Sequence, residues 1–269
     1  MGSRSIVHLS PREYSPKQRG VPGPEAALHK AASASANLFA PPDWGKLVVI
    51  PELDIGGIRP DLWIGSFNEK VFRRRLDAGL GACTAPYALG IVRALRRLGG
   101  EASIDQLASR ALRLGERRRI QRGVSDLVDR GLAERDNGSV LLHPRFVVAD
   151  ARGVGVEAKL GRWRKAVRQV QMWRTALNGA WLLFPESYLG QVPRQRPGMR
   201  SIGLAVADES GTVSIVRRPR LTTGPSVGRL LAEEHLYARW VDESNSKPIE
   251  RPRNAMQRRQ AAARGSASA

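Results

Sequence analysis

Gly155-Val156-Glu157-Ala158-Lys159-Leu160 is the stretch on which the reading of this chain turns. Side chains alternate along a strand, so Val156, Ala158 and Leu160 point one way and Glu157 and Lys159 the other. A carboxylate and an ammonium thus share one face beside an apolar face that can be buried. Burying such a face leaves the charges in need of a reason. A second short strand, Arg59-Pro60-Asp61-Leu62-Trp63-Ile64, lies far upstream. Pro60 cannot donate to a ladder, so it belongs at a bulge or edge, which helps aim Asp61 outward. If Asp61 comes alongside Glu157, two carboxylates can hold a hard divalent cation with Lys159 beside it. That donor set suits metal-assisted cleavage of a phosphodiester.

The residues after Lys159 support the same reading. Trp163, Ala166, Val167, Val170, Trp173 and Leu177 follow a helical period with basic and amide residues between them. Trp181-Leu182-Leu183-Phe184 then reads as a buried strand, and 202–206 and 213–216 as two more. Upstream, 24–39 reads as a helix blocked by Pro41-Pro42. Residues 46–53 and 58–64 read as a hairpin about Gly56-Gly57. Residues 227–240 read as a closing amphipathic helix.

Pro60-Asp61 followed by Glu157-Ala158-Lys159 resembles the signature of the PD-(D/E)XK, or restriction-endonuclease-like, nuclease superfamily. The resemblance covers roughly 45–65 and 152–220, with a large interruption. It implies an α/β fold, a mixed sheet flanked by helices. It also implies a Mg²⁺ (or Mn²⁺) ion held by Asp61, Glu157 and the carbonyl of Ala158, and catalysis by Asp61, Glu157, Lys159 and a helix glutamine, Gln169. Gln171 is the alternative register for that glutamine. Such sites carry a third acid, for which Glu52, Asp54 and Glu25 compete. Glu52 and Asp54 share one strand face, whereas Glu25 lies at the start of the first helix.

The interruption has its own organisation. Residues 85–98 carry a helical apolar pattern, Ser103 caps a second helix, and 116–130 forms a third that Gly131 stops. Asp136-Asn137-Gly138 then turns a hairpin between 132–135 and 139–142. Three helices and a hairpin resemble a winged helix-turn-helix domain, with Arg117, Arg118, Arg119 and Arg122 crowding the start of the third helix, where a reading helix meets DNA. The expected domains are thus a discontinuous core over 24–68 and 147–242, an insert over 84–146, and basic, disordered arms at 1–23 and 243–269.

Composition narrows the partners. Lys and Arg exceed Asp and Glu to give a formal charge of +19, which points to a polyanion, most simply DNA. No apolar run approaches the roughly 20 residues of a spanning helix, and no signal core opens the chain. Cys83 is the one cysteine, which excludes an intrachain disulfide and fits a reducing cytoplasm. The expected activity is that of a metal-dependent DNA endonuclease acting as a homodimer or within a larger nucleoprotein assembly. The competing expectations are a non-catalytic DNA-binding regulator and a subunit active only in such an assembly.

Overall fold

A computed structural model of the chain describes residues 5–9, 24–110, 117–147, 151–193, 197–224 and 226–246. The chain divides into two compact units, Met1–Ala238 and Arg239–Ala269. The described part of the second unit is the C-terminal stretch of a helix, in which Arg239 pairs with Glu243 one turn on, at 3.3 Å.

A seven-stranded mixed sheet organises the first unit. Its strands are β1 (Ile6–His8), β2 (Leu47–Pro51), β3 (Leu62–Ser66), β7 (Arg152–Ala158), β8 (Gly179–Pro185), β9 (Gly203–Ala207) and β10 (Val213–Arg217), and they stand in that order. β3 runs antiparallel to both β2 and β7, whereas β7, β8 and β9 run parallel, and β10 returns antiparallel. Strands covered on both faces need near-continuous apolar runs. Leu47-Val48-Val49-Ile50 and Ala180-Trp181-Leu182-Leu183-Phe184 are such runs, and every residue in them is buried.

Helices cover both faces. On one, α1 (Pro24–Ala34) and α2 (Ala36–Phe39) lay Leu28, Ala31, Ala32 and Phe39 on Val49, Ile64, Val154, Val156 and Trp181. The alanines let the helix approach closely, and the Trp181 indole N–H donates to the Phe39 carbonyl at 3.0 Å. On the other, α7 (Trp163–Met172) buries Ala166, Val167 and Val170. Gly155 is required there, because a Cβ at that position would meet Trp173 and Leu177 at 2.7 Å. Each large apolar side chain sealed in this way stabilises the fold by about 1.5–3 kcal/mol relative to exposure.

Between β3 and β7 the chain makes α3 (Glu69–Asp77), α4 (Pro86–Arg97), β4 (Glu101–Ser103), α5 (Ile104–Arg110), α6 (Arg117–Asp129), β5 (Ala133–Asp136) and β6 (Ser139–Leu142). β4, β6 and β5 form a separate three-stranded antiparallel sheet in that order. Ser103 Oγ accepts the Gln106 N–H at 3.1 Å while Gln106 Oε1 accepts that of Ser103 at 2.8 Å. This reciprocal pair is a capping box. Asn137 and Gly138 both take positive φ, 45° and 84°, as a two-residue hairpin turn demands. The closing helix α8 spans Val227–Ser246.

Several expectations from sequence need correction. Ile6–His8 is not part of a mobile arm but an edge strand, paired in parallel with β2 through Ile6 and Leu47. The first helix breaks at Ser35, whose ψ of 24° interrupts the helical path. Asp61 precedes β3 rather than lying in it, and Leu160 lies beyond β7 and is 43% exposed rather than buried. Helix α8 carries residues 243–246 that were expected to begin a disordered tail. The sequence reading contained neither α3 nor β4. The remainder of both arms, and Glu116 at the expected start of the third helix, lie outside the described residues. Among the described residues, no helix is long and apolar enough to cross a membrane.

Candidate active site

Backbone register brings the two distant motifs together. β3 and β7 pair through Leu62 and Val156, so the next residues outward along that ladder are Asp61 and Glu157. Asp61 stands at the bend where the hairpin enters the sheet, and its carbonyl accepts the Glu52 N–H at 3.1 Å. Pro60 before it has no N–H to extend the ladder. The Asp61 side chain turns to β7, where Oδ2 accepts the Ala158 N–H at 2.8 Å. Lys159 N donates to the Leu183 carbonyl at 3.0 Å, which fixes the backbone of the Glu157-Ala158-Lys159 segment against β8.

Four charged side chains converge at this end of β7. Lys159 Nζ lies 3.0 Å from Glu157 Oε1, 3.0 Å from Glu25 Oε1 and 3.3 Å from Asp61 Oδ2. Glu25 comes from the first turn of α1, where a carboxylate is favoured by the helix dipole. His29, one turn further along α1, places Nε2 3.4 Å from Asp61 Oδ2. The cluster grades from deep to open: Glu157 is 1% exposed and Glu25 is 45% exposed.

The environment divides the two central carboxylates. Burial, reinforced by the charge of Asp61, pushes Glu157 up to about 7 despite the lysine beside it. Burial also acts to raise Asp61, but His29, Lys159 and the Ala158 N–H outweigh it and hold Asp61 below its usual value. Asp61 in turn raises His29 above its ordinary value against burial. Burial alone would lower Lys159, but the surrounding carboxylates overcome it and lift the ammonium above the ordinary lysine range. Lys159 therefore carries a full charge at neutral pH.

The three candidates for a third acid separate clearly. Glu25 reaches the cluster. Glu52, with a left-handed backbone at φ 49°, pairs with Arg59 at 2.8 Å, and Asp54 accepts the Gly57 N–H at 3.0 Å to close the turn. Gln169 lies on α7 with Oε1 buried and without a hydrogen bond, whereas Gln171 donates to the Gly198 carbonyl at 3.4 Å. His29 was missed by the sequence reading. Its signal was available in the spacing Glu25 to His29, which puts both on one face of a helix.

Donor chemistry and arrangement bear differently on a metal. The carboxylates and the Ala158 carbonyl are hard oxygen donors of the kind Mg²⁺ takes, and Glu157 Oε2 is buried without a hydrogen-bond partner. Among the described residues, however, no three His, Cys, Asp or Glu side chains are grouped as a metal site, and the acids gather about the Lys159 ammonium. The oxygens are of the kind a hard cation takes, and in this arrangement the Lys159 ammonium engages them. Away from this site, Arg117, Arg118, Arg119 and Arg122 are all exposed along the first turns of α6. Arg117 pairs with Asp105 at 2.9 Å, and Arg119 lies 4.6 Å from the Tyr87 ring centre.

No family model matches the chain, and no curated protein matches it. A solved structure of a protein of unknown function from Silicibacter pomeroyi aligns at 15% identity with a TM-score of 0.26, over 38% of this chain and 68% of that one.

Proposed function

We propose that the chain is a divalent-metal-dependent DNA endonuclease of the PD-(D/E)XK kind, using Mg²⁺ or Mn²⁺. The observation that carries this reading is the convergence of Asp61, Glu157, Lys159 and Glu25 at one end of β7, from three segments distant in sequence. Asp61, Glu157 and the Ala158 carbonyl would hold the ion, with Glu25 as the third acid. The chemistry that such an ion supplies is polarisation of the scissile phosphate and a lowered pKa for the attacking water.

The chain's own residues have separable tasks. Lys159, charged at neutral pH, stabilises negative charge on the five-coordinate phosphorus rather than taking a proton from water. Asp61, held ionised, anchors the Glu157-Ala158-Lys159 segment through the Ala158 N–H. Gln169 is suited to orient the water or the phosphate, since its buried Oε1 has no hydrogen bond of its own. The segment from α4 to β6 has the element order of a winged helix, with α6 as its reading helix. Its exposed arginines supply phosphate contacts that place the duplex. Cleaving both strands with one site per chain calls for a homodimer or a larger nucleoprotein assembly, and a reducing cytoplasm suits the lone buried thiol of Cys83.

The test is cleavage of supercoiled and linear DNA with Mg²⁺, Mn²⁺ or EDTA, together with binding across a salt series. Metal-dependent nicking that Lys159→Ala abolishes, while DNA affinity is retained, is the expected result. Replacing Arg118 and Arg122 by Ala is expected to reduce the slope of log affinity against log salt by about one for each phosphate that is no longer neutralised. Tight binding with no cleavage under any metal would move the reading to a non-catalytic regulator, or to a subunit that waits for its assembly.

A further inference from the structure

A basic cavity lies at the other end of β7. The catalytic cluster sits where β7 ends, at Ala158 and Lys159, whereas Arg152 at the start of the strand lines a cavity of about 700 Å³. Six strand steps at about 3.3 Å each separate the two ends by roughly 20 Å. Five arginines line this cavity: Arg93, Arg96 and Arg97 from α4, Arg152 from β7 and Arg229 from α8. Two carboxylates, Asp43 and Glu233, share the lining, which leaves an excess of three positive charges. Trp44, Leu221 and Leu230 supply an apolar wall.

Two of the five guanidinium groups, those of Arg96 and Arg229, are held by hydrogen bonds, whereas Arg97 and Arg152 are exposed and Arg152 pairs with Asp43 at 3.7 Å. Arg96 donates to the Phe146 carbonyl at 2.9 Å, and Arg229 donates to Thr222 Oγ1 at 2.7 Å and to the Gly224 carbonyl. Burial lowers the pKa of both from the ordinary arginine value. Glu233 is 4% exposed, and one of its oxygens accepts the Ala151 N–H at 3.2 Å. The Nε atoms of Arg93 and Arg229 are buried with no hydrogen-bond partner. Arginine recognises phosphate through paired N–H groups, which the terminal nitrogens of these side chains can offer.

We propose that this cavity binds a nucleoside di- or triphosphate, with the phosphates among the α4 arginines and Arg229 and the base against Trp44 and Leu221. The volume lies within the usual 300–1,000 Å³ range of small-molecule sites, well above what a lone phosphate fills. The excess positive charge matches a di- or triphosphate rather than a monoester. A concave cavity walled on one side by tryptophan and leucine suits a small ligand better than a convex duplex backbone. The site is independent of the cleavage chemistry proposed above, and it needs neither Lys159 nor a metal.

Isothermal titration calorimetry of the full chain in EDTA tests this, with ADP, ATP, GTP, adenosine, inorganic phosphate and a short DNA duplex as probes. Saturable binding of the di- or triphosphates is expected, with adenosine and phosphate at least about tenfold weaker. The double variant Arg93→Ala/Arg97→Ala is expected to lose at least about tenfold in affinity. Arg97→Glu, at an exposed position that does not threaten folding, is expected to weaken binding in the same direction. Lys159→Ala is expected to bind normally, which separates this site from the catalytic one. Three results would overturn the proposal: no nucleotide binding by the folded wild-type chain; nucleotide binding indifferent to both arginine variants; or displacement of the nucleotide by the duplex, with duplex affinity falling in those variants.

Discussion

Lys159 Nζ and the carboxylate of Asp61 meet at 3.3 Å, on the same Oδ2 that accepts the Ala158 N–H at 2.8 Å. One carboxylate oxygen thus both fixes the backbone ahead of the lysine and neutralises its charge. The ammonium consequently sits among the oxygens that a divalent ion would need, so under the proposed function lysine and metal would compete for the same carboxylates. Lys159→Ala is therefore expected to abolish cleavage while strengthening metal binding. Thermal unfolding with and without Mg²⁺ checks this, since a ligand that binds only the folded state raises its stability. The Mg²⁺-induced shift should be larger in Lys159→Ala than in wild type. A smaller shift would mean that the lysine supports the ion rather than standing in its place.

Glu25 is separated from its rivals by its partners. It reaches Lys159 at 3.0 Å from the first turn of α1, whereas Glu52 is paired with Arg59 and Asp54 closes a turn. Glu25→Gln is expected to lower the metal-dependent rate roughly 10–100-fold, the scale seen when support of a metal site is lost. Glu52→Gln and Asp54→Asn are expected to leave the rate within about twofold and stability within about 0.5 kcal/mol. Initial rates of plasmid nicking at saturating Mg²⁺ decide it. Comparable losses in all three variants would remove Glu25 from the site.

Glu157 and His29, which both titrate above their ordinary values beside Asp61, set the pH dependence, and Glu157 carries the larger shift. Its folded pKa of about 7 stands above its ordinary value of 4.5 because burial and Asp61 disfavour the anion. Between those two values the folded chain holds a proton that the unfolded chain has released. Stability therefore falls as pH rises through that window, by the amount this group contributes. Metal binding runs the other way, because the ion requires the anion and expels the proton. Mg²⁺ affinity and metal-dependent cleavage should both rise as pH increases toward and through about 7. Lys159, raised above the ordinary range, should add no further rising limb at moderately alkaline pH. Calorimetry of Mg²⁺ binding near pH 6 in buffers of different ionisation enthalpy should show proton release, which Glu157→Gln should reduce to the share that His29 contributes.

The parts of this fold that were legible in the sequence are those in which one local rule acts alone. Alternation placed Glu157 and Lys159 together, the helical period of Ala166, Val167 and Val170 gave α7, and Asn137-Gly138 gave a hairpin. The closeness of Asp61 and Glu157 was legible because a short motif and the family resemblance both made their strands neighbours, as the β3–β7 pairing has them. What remained hidden depended on partners distant in sequence. Ile6–His8 is only three residues long, and its pairing with the edge of β2 makes it a strand. Glu25 could not be chosen over Glu52 and Asp54, because the choice rests on where α1 crosses the end of β7. Helix α3 reads as a basic, exposed segment, and no pattern within it shows that Arg75 points inward.

That inward arginine makes the sharpest stability prediction. Arg75 is fully buried and meets Glu234 of α8 through two hydrogen bonds of 2.7 and 2.8 Å. It also donates to the Gly81 carbonyl at 3.0 Å, and its guanidinium lies 3.9 Å from the centre of the Tyr237 ring. Glu234 takes a further N–H from Cys83 at 2.7 Å, so one ion pair ties α3, the segment before α4 and α8. Removing one partner of a buried pair strands the other charge, at a cost of about 3–5 kcal/mol. Glu234→Ala is therefore expected to lower the urea midpoint by that amount of stability. It should also expose Cys83, whose thiol burial now pushes up to about 11 and shields from alkylation at neutral pH. Replacing both partners, as Arg75→Met with Glu234→Leu, removes the charges together and should cost far less than Glu234→Ala alone. A double variant as unstable as the single one would show that the hydrogen bonds to Gly81 and Cys83, rather than the charge pair, hold this junction.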